Sequence, residues 1–316
     1  MKKALLSLTL LSLCTANVFA QSSYNEVKHF DEIERHVEKL GSSKQTLVVM
    51  DDDDTLTMMS CPDRKQPEFC QYLGGPAWFA WQQDQVEQMA QPRVADTFDE
   101  LLTISGLLFA TNDMPYTDKK IPQVLDNLVK DGVRLMVETA RGDANISATE
   151  RQFSVLNTKS QYGKNLGTLV SNNSLMFNDH PSLPSPYLAC QTPNMNAKTP
   201  ISYRNGVMYL SGQNKGVILK CMLERYNSQS NNPITKVVFL DDTKKNVKDV
   251  AKAFEGKDNG NNKYNVHALY YTLLEAHKDA LTKGEMARIY QDNAMERWQY
   301  MKEGMNRAQL NSVANQ

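Results

Sequence analysis

TLVVMDDDDTLTMM, residues 46–59, sets an apolar run directly against four aspartates. Thr46 to Met50 is rich in β-branched residues and shows no polar alternation. That pattern suits a strand covered on both faces in a parallel sheet. Four adjacent carboxylates repel one another, and burial raises the cost. Either Asp51 to Asp54 form a solvated acidic loop, or a cation is meant to sit among them.

The same pattern returns along the chain. VRLMVETARGD, from Val133, follows the helix-like IPQVLDNLVKDG of 121–132. ITKVVFLDDTKKN, 234–246, follows the helix-like NKGVILKCMLERYN of 214–227. NVHALYYT, from Asn265, follows a helical stretch near 245–255. Residues 25–40 carry Val27, Phe30, Ile33, Val37 and Leu40 at helical spacing and read as a helix closed by Gly41. Alternating helices and buried strands predict an α/β fold, a Rossmann-like parallel sheet with helices on both faces. In such sheets the site lies beyond the carboxyl ends of the strands. Asp51, Thr139 and Asp241 each end or directly follow an apolar run, so they should meet at one rim.

Two stretches interrupt the alternation. Residues 60–116 hold helix-like segments at about 77–90 and 96–109 and read as an inserted helical cap. Trp78 and Trp81 lie on one helical face there and read as packing residues, with lining a substrate pocket as the alternative. Residues 172–212 are rich in Pro and Asn and end in PISYRNGVMYLSG, where Asn205-Gly206 is a hairpin signal. The expected division is therefore 21–59 and 117–316 as the α/β core, with a small hairpin insertion at about 172–212. The stretch from 273 onward reads as charged and helical.

Thirty-five basic against 36 acidic residues give no field that would favour nucleic acid or an anionic membrane. The first twenty residues, MKKALLSLTLLSLCTANVFA, read as a signal peptide cleaved after about Ala20. The mature protein is then expected in the periplasm or outside the cell, with no membrane anchor. Cys61, Cys70, Cys190 and Cys221 remain. In an oxidising compartment they allow two disulfides in three pairings. Cys61 with Cys70, closing CPDRKQPEFC, is the local choice, and buried free thiols are the alternative.

Asp51-x-Asp53-x-Thr55 at a strand end resembles the first motif of the haloacid-dehalogenase-like superfamily of phosphohydrolases. The frame matters: starting at Asp52 would put Leu56 where the motif has Thr. Thr139 in LMVETAR resembles the second motif, Lys215 in SGQNKG the third, and Asp241-Asp242 in VVFLDD the fourth, all in order. The resemblance spans roughly residues 46–250 and leaves the inserted regions unmatched. It implies an HAD-like core with a cap and a bound Mg²⁺, held by Asp51, the Asp53 carbonyl and Asp241, with Asp242 in support. It also implies that Asp51 is the nucleophile that becomes an aspartyl-phosphate, and that Asp53 is the general acid and base. Thr139, the Ala140 N–H and Lys215 would hold the phosphoryl oxygens. Asp52 and Asp54 receive no role, and Arg141 stands between binding substrate and bracing the loop.

The expected function is thus an exported Mg²⁺-dependent phosphatase acting on a small phosphorylated substrate. A phosphotransferase using the same half-reaction, or a non-catalytic exported module binding a divalent ion and a partner, are the alternatives. Substrate identity and oligomeric state are not written in the sequence.

Overall fold

Asn25–Val27 is strand β1, paired parallel with Leu269–Tyr271, and not the start of a helix. The expectation of a helix from residue 25 is corrected here. Val27 and Phe30 have helical spacing by coincidence, and pairing with a distant strand overrides it. Helix α1 (Glu32–Leu40) begins where the Glu32 carboxylate accepts from the Lys28 and His29 N–H groups at 3.0 and 2.9 Å. It buries Ile33, Val37 and Leu40. In this computed structural model the described residues are 24–41, 43–190, 199–255 and 263–314. The expected leader, residues 1–20, lies outside them.

The acid-flanked run forms strand β2 (Thr46–Met50), buried throughout. After it come α2 (Pro76–Glu87), α3 (Phe98–Thr111), α4 (Ile121–Lys130) and β3 (Arg134–Thr139). Then follow α5 (Ile146–Val155), the short pair β4 (Asn157–Ser160) and β5 (Gly163–Asn165), and α6 (Leu166–Asn172). The hairpin β6 (Ser202–Arg204) and β7 (Val207–Tyr209) precedes α7 (Lys215–Gln229) and β8 (Lys236–Asp241). The chain ends with α8 (Lys244–Ala253), β9 (Asn265–Tyr271), α9 (Glu275–Thr282) and α10 (Ala287–Ala314).

Among the described residues seven strands form the main sheet in the order β1-β9-β8-β2-β3-β7-β6, parallel except for β6. The fold is therefore α/β with a mostly parallel sheet, as the alternation predicts. The Asn205-Gly206 turn forms as expected, with both residues at positive φ (51° and 80°). The hairpin is not a separate insertion, however. β7 pairs with β3, so it extends the main sheet.

Strand β2 shows why both faces are covered. Val48 and Met50 pack in one hydrophobic cluster with Val37, Leu125 and Phe153. Leu47 and Val49 pack in the opposite one with Ile218, Leu219 and Val247. Alternate residues of a strand point to opposite faces, so both faces need apolar residues. β2 lies between β3 and β8, and Met50 pairs with both Val137 and Leu240. The next residue, Asp51, therefore lies level with the ends of both neighbours.

Residues 60–116 leave and rejoin the sheet through two linkers that grip each other. Met58 N–H donates to Pro115 O and Thr117 N–H to Leu56 O, both at 3.0 Å. Thr97 and Glu100 cap α3 reciprocally. A third hydrophobic cluster joins this segment to the chain's end: Tyr72, Trp78 and Leu101 pack with Leu281, Tyr290 and Trp298. Residues 273–316, expected with the sheet, instead supply α9 and α10, which pack against the 60–116 segment. Cys61 is bonded to Cys70, and Cys190 to Cys221. Among the described residues no helix is long and apolar enough to cross a membrane.

Trp298 is buried at the α10 contribution to this shared cluster. Trp298→Ala should cost about 3 kcal/mol in urea denaturation. Hydrogen exchange should show α2 and α3 losing protection together with α10. Loss confined to α10 would mean that the cluster is not a cooperative unit.

Candidate functional site

The site begins where β2 stops. Asp51 N–H donates to Leu240 O at 2.9 Å, continuing the ladder one residue past the strand. Lys215 opens α7 and is 2% exposed. Its Nζ donates to Asp51 Oδ1 at 2.5 Å and to Asp241 Oδ2 at 2.7 Å. Two neighbours allow this placement. Asn214 caps α7 by accepting from Val217 N–H at 3.0 Å. At Gly216 a Cβ would sit 2.3 Å from the Asp249 carbonyl oxygen, so α7 can lie this close to α8 only with glycine there.

Asp241 is further fixed. The Thr243 N–H donates to its Oδ1 at 2.7 Å, and Asn246 Nδ2 donates to both oxygens at 3.2 Å. Lys278 of α9 donates to Asp242 Oδ2 at 2.6 Å and to the Asp242 carbonyl at 2.8 Å. Asp242 N–H donates to Thr55 Oγ1 at 3.1 Å. That contact places Thr55 against the paired acids.

The middle of the acidic run, Asp52 and Asp53, is held by Arg141. Its Nε and Nη2 donate to the two oxygens of Asp53 at 2.9 and 2.7 Å. Nη1 lies 3.3 Å from Asp52 Oδ2 and donates to Thr149 Oγ1 and Gln152 Oε1, each at 2.8 Å. The guanidinium also lies 3.9 Å from the centre of the Phe109 ring. With a side chain 2% exposed, Arg141 braces the loop. Asp52 accepts from the Thr57 hydroxyl at 2.8 Å, and Asp54 takes a left-handed φ of 60°.

Thr139 ends β3 and is fully buried, its hydroxyl accepting from Arg141 N–H at 3.2 Å. Ala140, beside it, is exposed. The structure thus brings Asp51, Lys215, Asp241 and Asp242 into one buried cluster. Asp53, Thr139 and Ala140 lie along its Arg141 side.

Among the described residues, six aspartates (Asp51 to Asp54, Asp241, Asp242) gather against three cations, Lys215, Lys278 and Arg141. The surplus acid shows in the protonation equilibria. Burial pushes Asp51 well above the usual carboxylate range; Lys215 pulls against this, and Asp241, Asp242 and Asp53 add to the rise. Burial also pushes Asp52 up to about 6, against the pull of Arg141. Asp54 and Asp242 are raised, first by burial, with Lys278 opposing in both cases. Burial works against the charge of Lys215, yet Asp241, Asp51 and Glu138 hold it above its ordinary value.

Asp51, Asp241 and Asp242 each offer one carboxylate oxygen, all within 4.8 Å of one another. Three hard oxygen donors in an acid-rich, buried cluster fit Mg²⁺ or Ca²⁺ and not a soft metal. A second grouping, Cys61, Cys70 and His277, is also compact, but its two sulfurs are bonded to each other.

A family model described as "Protein of unknown function (DUF2608)" matches residues 26–310. The chain belongs to the DUF2608 family. No curated protein matches it. The DUF2608 match takes in every residue of the site and also α9, which supplies Lys278.

Sequence reasoning missed Lys278, Asn246 and Glu138. Asn246 was visible as a polar residue one turn into the helix after Asp241. Lys278 sits in an ordinary charged helix and gave no signal. Glu138 is fully buried with neither carboxylate oxygen hydrogen-bonded, and burial holds its pKa well up.

Two predictions follow the geometry. A divalent cation on the acidic triad should raise the melting temperature. With Mg²⁺ at a hundredfold over Kd the gain is about 2.7 kcal/mol, and Asp242→Asn should abolish it; a flat response across a Mg²⁺ titration would mean the triad binds no Mg²⁺. The other concerns His277, which stacks on Tyr72 at 4.6 Å. Burial pushes it down from 6.5 to about 4, with Arg64 and Lys278 adding to the fall. The unfolded chain takes up a proton near 6.5 that the folded chain refuses until about 4. Stability should therefore hold above that window and drop by about 3 kcal/mol as the pH falls through it. Denaturation of His277→Phe across the same pH range should show that slope removed.

Proposed function

We propose that this protein is an exported, Mg²⁺-dependent phosphohydrolase of the haloacid-dehalogenase-like kind, with residues 60–116 as its cap. The observation that carries this reading is Lys215 Nζ in contact with both Asp51 and Asp241, beside a third acid, Asp242. A carboxylate at a strand end, bridged by a buried lysine to a second acid, suits an anionic electrophile. The lysine offsets charge that would otherwise repel a phosphate.

In this reading an Asp51 carboxylate oxygen attacks phosphorus and forms an aspartyl-phosphate, and the bond to the leaving oxygen breaks. Asp53 gives that oxygen a proton. Asp53 then takes a proton from water, which attacks phosphorus, releases inorganic phosphate and restores Asp51. Lys215, Thr139 and the Ala140 N–H hold phosphoryl oxygens. Asp51, the Asp53 carbonyl and Asp241, backed by Asp242, would hold Mg²⁺, which supplies charge neutralisation at the phosphoryl group. Export is supported by the leader-like first twenty residues and by two disulfides.

The mature protein with Mg²⁺ should release inorganic phosphate from p-nitrophenyl phosphate. Asp51→Asn should lower that rate on the order of a thousandfold or more while the protein still melts cooperatively. An Asp51→Asn variant as active as the parent would remove the proposed nucleophile. Transfer of phosphate to an added alcohol in preference to water would reassign the reaction as a phosphotransfer.

A further inference from the structure

Asp53 has a requirement that the proposed chemistry does not by itself meet. Its side chain is 16% exposed and leaves a loop whose neighbours Asp51 and Asp52 are buried. A carboxylate on a short side chain at a loop edge can rotate about two bonds. To hand a proton to a leaving oxygen it must be fixed to within a fraction of an ångström.

Arg141 supplies that fixation. Its fork engages both oxygens of Asp53, at 2.9 and 2.7 Å, which sets the carboxylate plane. A carboxylate has about four lone-pair positions, so a forked contact leaves one on each oxygen for the transferred proton. The fork is itself immobile. Nη1 is tied to Thr149 and Gln152 of α5 and paired with Asp52, and the guanidinium face rests on Phe109 of α3. Gln152 then donates through Nε2 to the carbonyls of Phe109 and Asn112, at 2.8 and 3.2 Å. The guanidinium therefore reads the position of the inserted segment and passes it to Asp53.

We propose that Arg141 is a positioning residue for Asp53, and that Phe109 ties the placement of this acid to the 60–116 segment. The proposal rests on the phosphohydrolase reading. General-acid assistance matters greatly for a poor leaving group and little for a good one. That difference separates positioning of Asp53 from general support of the loop.

The experiment compares the parent, Arg141→Lys and Phe109→Leu on two substrates, p-nitrophenyl phosphate and a simple alkyl phosphate, with Mg²⁺ present. Arg141→Lys keeps the charge but loses the fork. It should lower kcat/KM, which reports only steps up to departure of the leaving group, by about 100-fold on the alkyl ester and by less than about tenfold on the aryl ester. Phe109→Leu leaves the ion pairs in place, and guards against an Arg141 variant that fails to fold. It should show the same selectivity at a smaller size, about fivefold against the alkyl ester, with KM little changed. Equal losses of kcat/KM on both esters, or none, in a folded Phe109→Leu and Arg141→Lys pair would overturn the proposal and leave the phosphohydrolase reading standing. A parent that hydrolyses neither ester overturns both.

Discussion

One ammonium group organises the centre of this molecule. Lys215 has its charge almost fully removed from water and touches two carboxylates that are themselves buried. Removing one partner from such a group leaves uncompensated charge in a poor dielectric, which costs several kcal/mol. The surrounding structure therefore has to deliver all three side chains together. β2 and β8 do so by lying side by side in register, and α7 does so by presenting its first residue over their ends. A lysine at the start of a helix opposes the helix dipole. The capping Asn214 and the close α7–α8 approach at Gly216 hold it there nonetheless. An unfavourable local choice maintained by two separate devices is typical of a position kept for its chemistry.

The sheet's centre was legible in the sequence because its signals are local. The apolar runs of β2, β3 and β8 announce buried strands, and the acids at two of their ends mark the rim. What was not legible depends on partners far along the chain. β1 is three residues long and looks helical until it meets Leu269–Tyr271. The Asn205-Gly206 turn specifies a hairpin but not the sheet it joins, since β7 finds β3 only in the folded chain. Lys278 is an ordinary basic residue in the sequence, and Arg141 is open there between binding substrate and bracing the loop. They gain meaning from the aspartates they reach, Asp242 in one case and Asp52 and Asp53 in the other.

The four aspartates of the run have different surroundings. Asp51, with Asp241 and Asp242, belongs to the lysine side of the site. Asp52 and Asp53 belong to Arg141. Asp54 turns back through a left-handed residue, and its N–H donates to Thr57 O at 2.7 Å. Aspartate tolerates that conformation better than most residues. Charge density that looked extravagant in the sequence is thus shared among separate cations, Lys215, Lys278 and Arg141.

The packing of Tyr72 and Trp78 against Tyr290 and Trp298 bears on how the polypeptide matures. A nascent chain emerges from its N-terminus, so the apolar side of α2 and α3 is made long before the helices that cover it. Until synthesis reaches α10, those aromatic rings are without their native cover and open to wrong associations. Truncation near the C-terminus would reproduce that half-finished state permanently, and for the same reason the 60–116 segment is not a unit that could be lifted out and grafted elsewhere.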